Sequence, residues 1–86
     1  QNIDWVLQVD GHTDDQPILP GSQFQNNWEL SQARALSVVL YLTTTEQMKP
    51  SRLSANGFGQ YQPINPGNTR AARAQNRRIE LFLTAR

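Results

Sequence analysis

Apolar and polar residues alternate almost from the first position. In IDWVLQVD, Ile3, Trp5, Leu7 and Val9 fall on one side and Asp4, Val6, Gln8 and Asp10 on the other, the period of a half-buried strand over residues 3–10. The next segment, Gly11 to Asn27, is rich in Gly, Pro and Asn and reads as a loop. The period then changes. In WELSQARALSVVLYLTTT, Leu36, Val39 and Leu40 form an apolar stripe that Leu30 and Ala33 extend, predicting a helix over 28–44. Asn27 suits its N-cap, and Glu29 in the first turn suits the positive end of the helix dipole. Pro50 closes that region. RLSANGF, residues 52–58, alternates weakly with Leu53, Ala55 and Gly57 inward, a second strand. After the turn-forming GQYQPINPGN comes a short helix, Thr69 to Asn76, capped by Asn68 or Thr69. RIELFLT, with Ile79, Leu81 and Leu83 facing one way, is a third strand. The order β-α-β-α-β, without internal repeats, predicts an α/β (α+β) two-layer sandwich: a small mixed sheet covered by helices on one side.

Composition bounds the rest. A chain of 86 residues is a single small domain, 1–86, burying about two-thirds of its unfolded surface. With 37% hydrophobic and 17% charged residues it is globular rather than disordered. The net charge is only +1, but Arg70, Arg73, Arg77, Arg78 and Arg86, five of the eight basic residues, lie in the last seventeen positions. The absence of cysteine excludes disulfides and cysteine-based zinc sites. No apolar run is long enough to span a membrane and no signal-peptide pattern opens the chain. Because Gln1 leads directly into a strand-like pattern, the sequence reads as a fragment of a longer protein.

The most polar stretch is VDGHTDDQPI, which sets Asp10, Asp14 and Asp15 around His12, the chain's single histidine. Zinc wants more nitrogen or sulfur ligands than this, and the spaced aspartates and distal glutamate of a calcium loop are absent. Catalysis would need a nucleophile with its base, or two carboxylates in different environments, and the spacing singles out neither. Taken alone, Gly11, Asp14 and Asp15 make a turn, and a lone histidine is ordinarily structural.

Four segments together point further. GHTDD, NNWELSQARA, RLSANGFGQYQPI and NTRAARAQNRRIEL follow the order and approximate spacing of the OmpA-like peptidoglycan-binding domain, which the chain resembles over residues 3–84. DDQPI and the extended loop through PGSQFQNNWEL look most like the flagellar motor protein B type and its inner-membrane relatives. Members of this family normally begin with a further strand and helix, which this sequence lacks.

The resemblance implies a non-catalytic clamp for the diaminopimelate of the bacterial cell-wall stem peptide, with no cofactor and no metal. The family's ligand aspartate falls on Asp14, its ligand arginine on Arg34 and its ligand asparagine on Asn27, with Thr13, Leu30 and Arg78 peripheral. The free end of diaminopimelate carries an ammonium and a carboxylate on one carbon. Asp14 would face the first, and the guanidinium fork of Arg34 the second. Asn27 and the amides opening the helix would add donors beside that carboxylate. Partner and place follow from the resemblance: peptidoglycan, in the periplasm, with the parent protein anchored in the inner or the outer membrane through an upstream region. The missing first unit predicts an exposed sheet edge and, through it, a homodimer. The alternative is a nucleic-acid module built on the C-terminal arginines, whose binding would fall steeply with salt. Phe58 and Tyr61, however, lack the spacing of a base-stacking platform, and the resemblance implies no nucleic acid.

Overall fold

The computed structural model describes residues 4–85 and contains three strands and two α-helices. In chain order these are β1 (Trp5–His12), α1 (Asn27–Thr44), β2 (Leu53–Gly57), α2 (Arg70–Asn76) and β3 (Arg78–Ala85). The strand order is β2-β1-β3, with β2 parallel and β3 antiparallel to the central β1. The sheet is therefore mixed, as the element order predicted. Ile3, expected on the first strand, lies outside the described residues. At its other end that strand runs two residues further than expected, because Gly11 pairs with Gly57 and Ile79 and His12 pairs with Arg78.

One sheet face carries Leu7, Val9 and Gly11, flanked by Leu53, Ala55 and Gly57 on β2 and by Leu83, Leu81 and Ile79 on β3. Helix α1 packs across β1 and β2 on this face. The residues it buries there are Asn27, Ser31 and Ala35, one per turn and all small or polar. The sequence pattern predicted otherwise: Leu36 and Leu40 of the expected stripe are 45% and 54% exposed. The cause is the closeness of helix and sheet. A Cβ on Gly11 would sit 2.2 Å from the Ser31 carbonyl oxygen, and one on Gly57 would sit 2.5 Å from the Gln32 backbone nitrogen. Backbones that approach this closely leave no room between them for a leucine.

The helix start also differs by one residue. Asn26, not Asn27, is the N-cap; its backbone is extended and its side-chain oxygen accepts from the Glu29 amide at 2.9 Å. Glu29 reaches back and accepts from the Gln25 amide, a reciprocal arrangement that satisfies two otherwise unpaired donors. Helix α2 is capped by Thr69, whose hydroxyl accepts from the Ala72 amide. At its far end the buried Asn76 side chain accepts from the Ile64 and Asn65 amides and donates to the Asn65 carbonyl, pinning the β2–α2 connection.

The opposite face of the sheet is polar. Asp10 accepts from Gln8 and from Asn56, and His12 stacks on Phe58 with ring centroids 5.2 Å apart. Arg78 pairs with Glu80 and donates to the Gln62 carbonyl. The His12 imidazole is buried, neither of its nitrogens has a hydrogen-bond partner, and Glu80 stands 3.8 Å away. Burial, reinforced by the nearby Arg78 charge, lowers its pKa below 6.5 against the opposing pull of Glu80 and Asp10. The unfolded chain therefore binds this proton more readily than the fold does. His12's contribution to stability is complete above the unfolded pKa and is lost as pH falls below it. Thermal unfolding followed from about pH 8 down to about pH 5 should show this loss, and His12→Phe, which keeps the ring stack, should remove that component. An unchanged pH profile in His12→Phe would assign the loss to other groups.

Candidate functional site

The chain leaves β1 at His12, and the next two residues form the wall of a pocket. The Thr13 amide donates to the Gly59 carbonyl at 2.9 Å, which fixes the direction of the turn, and the Thr13 hydroxyl donates to the carbonyl of Asp14. Asp14 is 8% exposed. Its Oδ1 accepts from the Gln16 amide at 2.9 Å, and its Oδ2 accepts from Arg77 Nη1 at 2.7 Å. Asp15, by contrast, is exposed and does not line this pocket.

Across from Asp14 lies the first turn of α1. Asn27 Nδ2 donates to the carbonyls of Asp14 and Gln16 and to Gln60 Oε1, at 3.3, 3.1 and 3.0 Å. Two amide hydrogens shared among three acceptors leave none for a ligand. In this structure Asn27 therefore positions the Asp14 loop and ties it to the β2–α2 connection, whereas the sequence expectation made it a direct donor. Two turns along the same helix, Arg34 lines the pocket, and among the described residues no carboxylate pairs with it.

The pocket so formed has a volume of about 390 Å³. Thr13, Asp14, Asn27, Leu30, Arg34 and Arg77 line it, together with Ile18, Leu19 and Phe24 from the long loop. Five of the residues singled out from the sequence thus come together. The sixth, Arg78, does not; it lies on the polar face of the sheet, and its neighbour Arg77 occupies the pocket. From sequence Arg77 counted as one of the C-terminal arginines. The ion pair with Asp14, 63 residues away in sequence, could not be seen there.

Chemically, the site offers a nearly buried carboxylate on one wall, a guanidinium without an anionic partner on another, and apolar side chains between. That arrangement suits a small ligand carrying both signs of charge on an aliphatic stem. The C-terminal arginines do not combine into one basic surface, since Arg77 turns to Asp14, Arg78 to Glu80 and Arg73 to the Asn68 carbonyl. Among the described residues no cluster of three or more potential metal ligands occurs.

Comparison with known proteins adds four observations. A model of the OmpA family matches residues 1–77. Motility protein B of Bacillus subtilis is 37% identical over 78 residues, covering 91% of this chain and 30% of that protein. Among solved structures, a MotB-like protein from Desulfovibrio vulgaris superimposes with a TM-score of 0.84 at 34% identity, covering 93% of this chain and 49% of the other. The peptidoglycan-associated lipoprotein from Burkholderia pseudomallei does so with a TM-score of 0.79 at 26% identity, covering 93% and 63%. This chain therefore corresponds to a part of each of these longer proteins.

Proposed function

The chain belongs to the OmpA family, and from that premise we propose that it is a peptidoglycan-binding module whose pocket holds the diaminopimelate of the stem peptide. The observation that carries the reading is the arrangement of charge in the pocket: among the described residues Arg34 has no anionic partner, while Asp14 already holds a cation in the form of Arg77. A ligand with an ammonium and a carboxylate on one carbon can place the first against Asp14, beside or instead of Arg77, and the second against the fork of Arg34. The module binds and performs no chemistry on the wall. Its relatives include a peptidoglycan-associated lipoprotein and motility proteins, which supports a role in anchoring a larger, membrane-attached envelope or motor protein to the wall from the periplasm. On the uncovered side of β3, Leu81 and Leu83 are 56% and 71% exposed, which supports self-association of two copies along that strand.

The test sets two peptides against three proteins. A stem peptide ending in diaminopimelate offers the carboxylate; its lysine counterpart keeps the ammonium and lacks it. The protein should prefer the first by at least about ten-fold, because with the lysine peptide Arg34 is left unpaired. In Arg34→Ala the preference should collapse through loss of the diaminopimelate peptide alone. Arg34→Lys should restore only part, since a point charge replaces a bidentate fork. Calorimetric titration measures all of these. A preference that survives in Arg34→Ala would mean that another residue reads the carboxylate.

A further inference from the structure

We propose that the stacked pair Trp28 and Tyr61, with the groove beside it, is a subsite for the glycan of the same wall polymer, adjoining the stem-peptide pocket. The inference rests on the peptidoglycan reading above and extends it from the peptide to the sugar. Trp28 is the second residue of α1, next to Asn27 in the pocket wall. Its ring stacks on Tyr61 with centroids 4.9 Å apart and planes 27° from parallel. Both rings nevertheless remain in solvent, at 50% and 60% exposure. Two large rings held rigidly against each other at the surface add little to the core of the fold, and exposed apolar surface rimmed by polar groups marks an interaction site.

The pair is positioned by the residues that shape the pocket. Gly59, in the left-handed region at φ 64°, passes beneath both rings: a Cβ there would meet Tyr61 at 3.3 Å and Trp28 at 3.5 Å. Its amide donates to the Ser31 hydroxyl and its carbonyl accepts from the Thr13 amide. Gln60, between Gly59 and Tyr61, accepts from Asn27. The groove beside Trp28 continues along α1 over Leu36 and Leu40 and has a volume of about 890 Å³. Phe24 lines both groove and pocket, so the two adjoin at that side chain.

The chemistry of the groove selects its occupant. A pyranose ring presents a face of C–H bonds that lies against an aromatic ring, and hydroxyl and acetamido groups that bond to amides; Gln23 and Gln32 supply such amides at the rim. Among the described residues no lysine or arginine lines the groove, and the charge there is the carboxylate of Glu29. A polyanion that also stacks, such as single-stranded nucleic acid, would meet repulsion there instead of the basic track it requires. A neutral N-acetylated sugar meets none.

Calorimetry with two probes tests this: the free diaminopimelate tripeptide, and the same tripeptide on its N-acetylglucosamine–N-acetylmuramic acid disaccharide. The wild-type chain should bind the disaccharide peptide about ten-fold more tightly. Trp28→Ala and, independently, Tyr61→Ala should bring that affinity down to the free-peptide value while leaving the free peptide unaffected. Equal wild-type affinity for the two probes would overturn the glycan subsite and leave the peptide clamp standing. Binding of neither probe would overturn the clamp, and the subsite with it. Equal losses for both probes in both variants would show that the rings only support the pocket, which also overturns the proposal. So would a wild-type dimer, seen by light scattering, that becomes monomeric in Trp28→Ala, because the groove would then belong to a second copy of the chain.

Discussion

Asp14→Asn should release the protein from purified cell wall: in a sedimentation assay the bound fraction should fall by the equivalent of at least about ten-fold in affinity, from loss of a charge-assisted hydrogen bond. The structure gives reason to expect more than the loss of one bond. Asp14 is 8% exposed and its carboxylate neutralises Arg77 at 2.7 Å. With an amide in its place, the pocket keeps two guanidiniums, Arg34 and Arg77, and no anion among the described residues. The incoming ammonium is then repelled as well as left without a partner. The fold should tolerate the change, because the oxygen of the new carboxamide can still accept from the Gln16 amide as Asp14 Oδ1 does now. Asp15→Asn is the matched control, removing the same charge one residue away from an exposed side chain outside the pocket. It should sediment like wild type. Equal pull-down of all three proteins would refute the assignment of Asp14.

Gly11→Ala should be the most damaging single methyl in the chain. The added Cβ would lie 2.2 Å from the Ser31 carbonyl oxygen and 3.0 Å from its carbonyl carbon, both backbone atoms that no side-chain rotation moves aside. Relief requires lifting α1 off the centre of the sheet, where Val9 and Ala35 are fully buried. A cost at or above the usual upper end for overpacking, about 3 kcal/mol, corresponds to roughly 12–24 °C in melting temperature for a domain of this size. Gly67→Ala is the reference: its Cβ would meet the Asn65 side chain at 3.1 Å and the Ala72 Cβ at 3.5 Å, neighbours that can adjust. It should cost under about 1 kcal/mol. Thermal unfolding by circular dichroism distinguishes the two. A Gly11→Ala melting temperature within a few degrees of wild type would show that the helix is free to ride up. Lifting α1 also carries Arg34 away from Asp14, so wall binding should weaken along with stability.

These two positions show what could be read from the chain before its structure. Strand and helix existence was legible, because alternation in IDWVLQV and RIELFLT and the cap expected at Asn68 or Thr69 are local signals that no tertiary contact overrides here. The inward face of α1 was not. Counting apolar residues selected Leu36 and Leu40, whereas the Gly11 and Gly57 contacts select whatever is smallest, namely Ser31 and Ala35. Two consecutive asparagines hid the cap for a similar reason: either side chain can accept an amide, and Asn27 is diverted by three acceptors that are distant in sequence. Among the arginines, Arg77 and Arg78 differ by one residue and by the whole thickness of the sheet. Arg77 is the residue where α2 ends, before the strand begins, and only a register of β3 against β1 fixes which of the two meets Asp14.

The register also determines how the molecule bears tension. Trp5 pairs with Ala85 at one end of the sheet and His12 with Arg78 at the other, with Asp14 just beyond. Both ends of the described chain thus emerge opposite the pocket. With the wall held at Asp14 as proposed, a pull toward the N-terminal end travels along β1 itself, through covalent bonds, with β2 and β3 as splints on either side. A pull toward the C-terminal end crosses into β3 and loads the β1–β3 hydrogen bonds in parallel, as shear, so that the eight register pairs share the load at once. In neither direction does the sheet unzip one bond at a time. On the anchoring role proposed above, the fastening point at Asp14 and the two described ends of the chain lie at opposite ends of the strands, so that load runs along them.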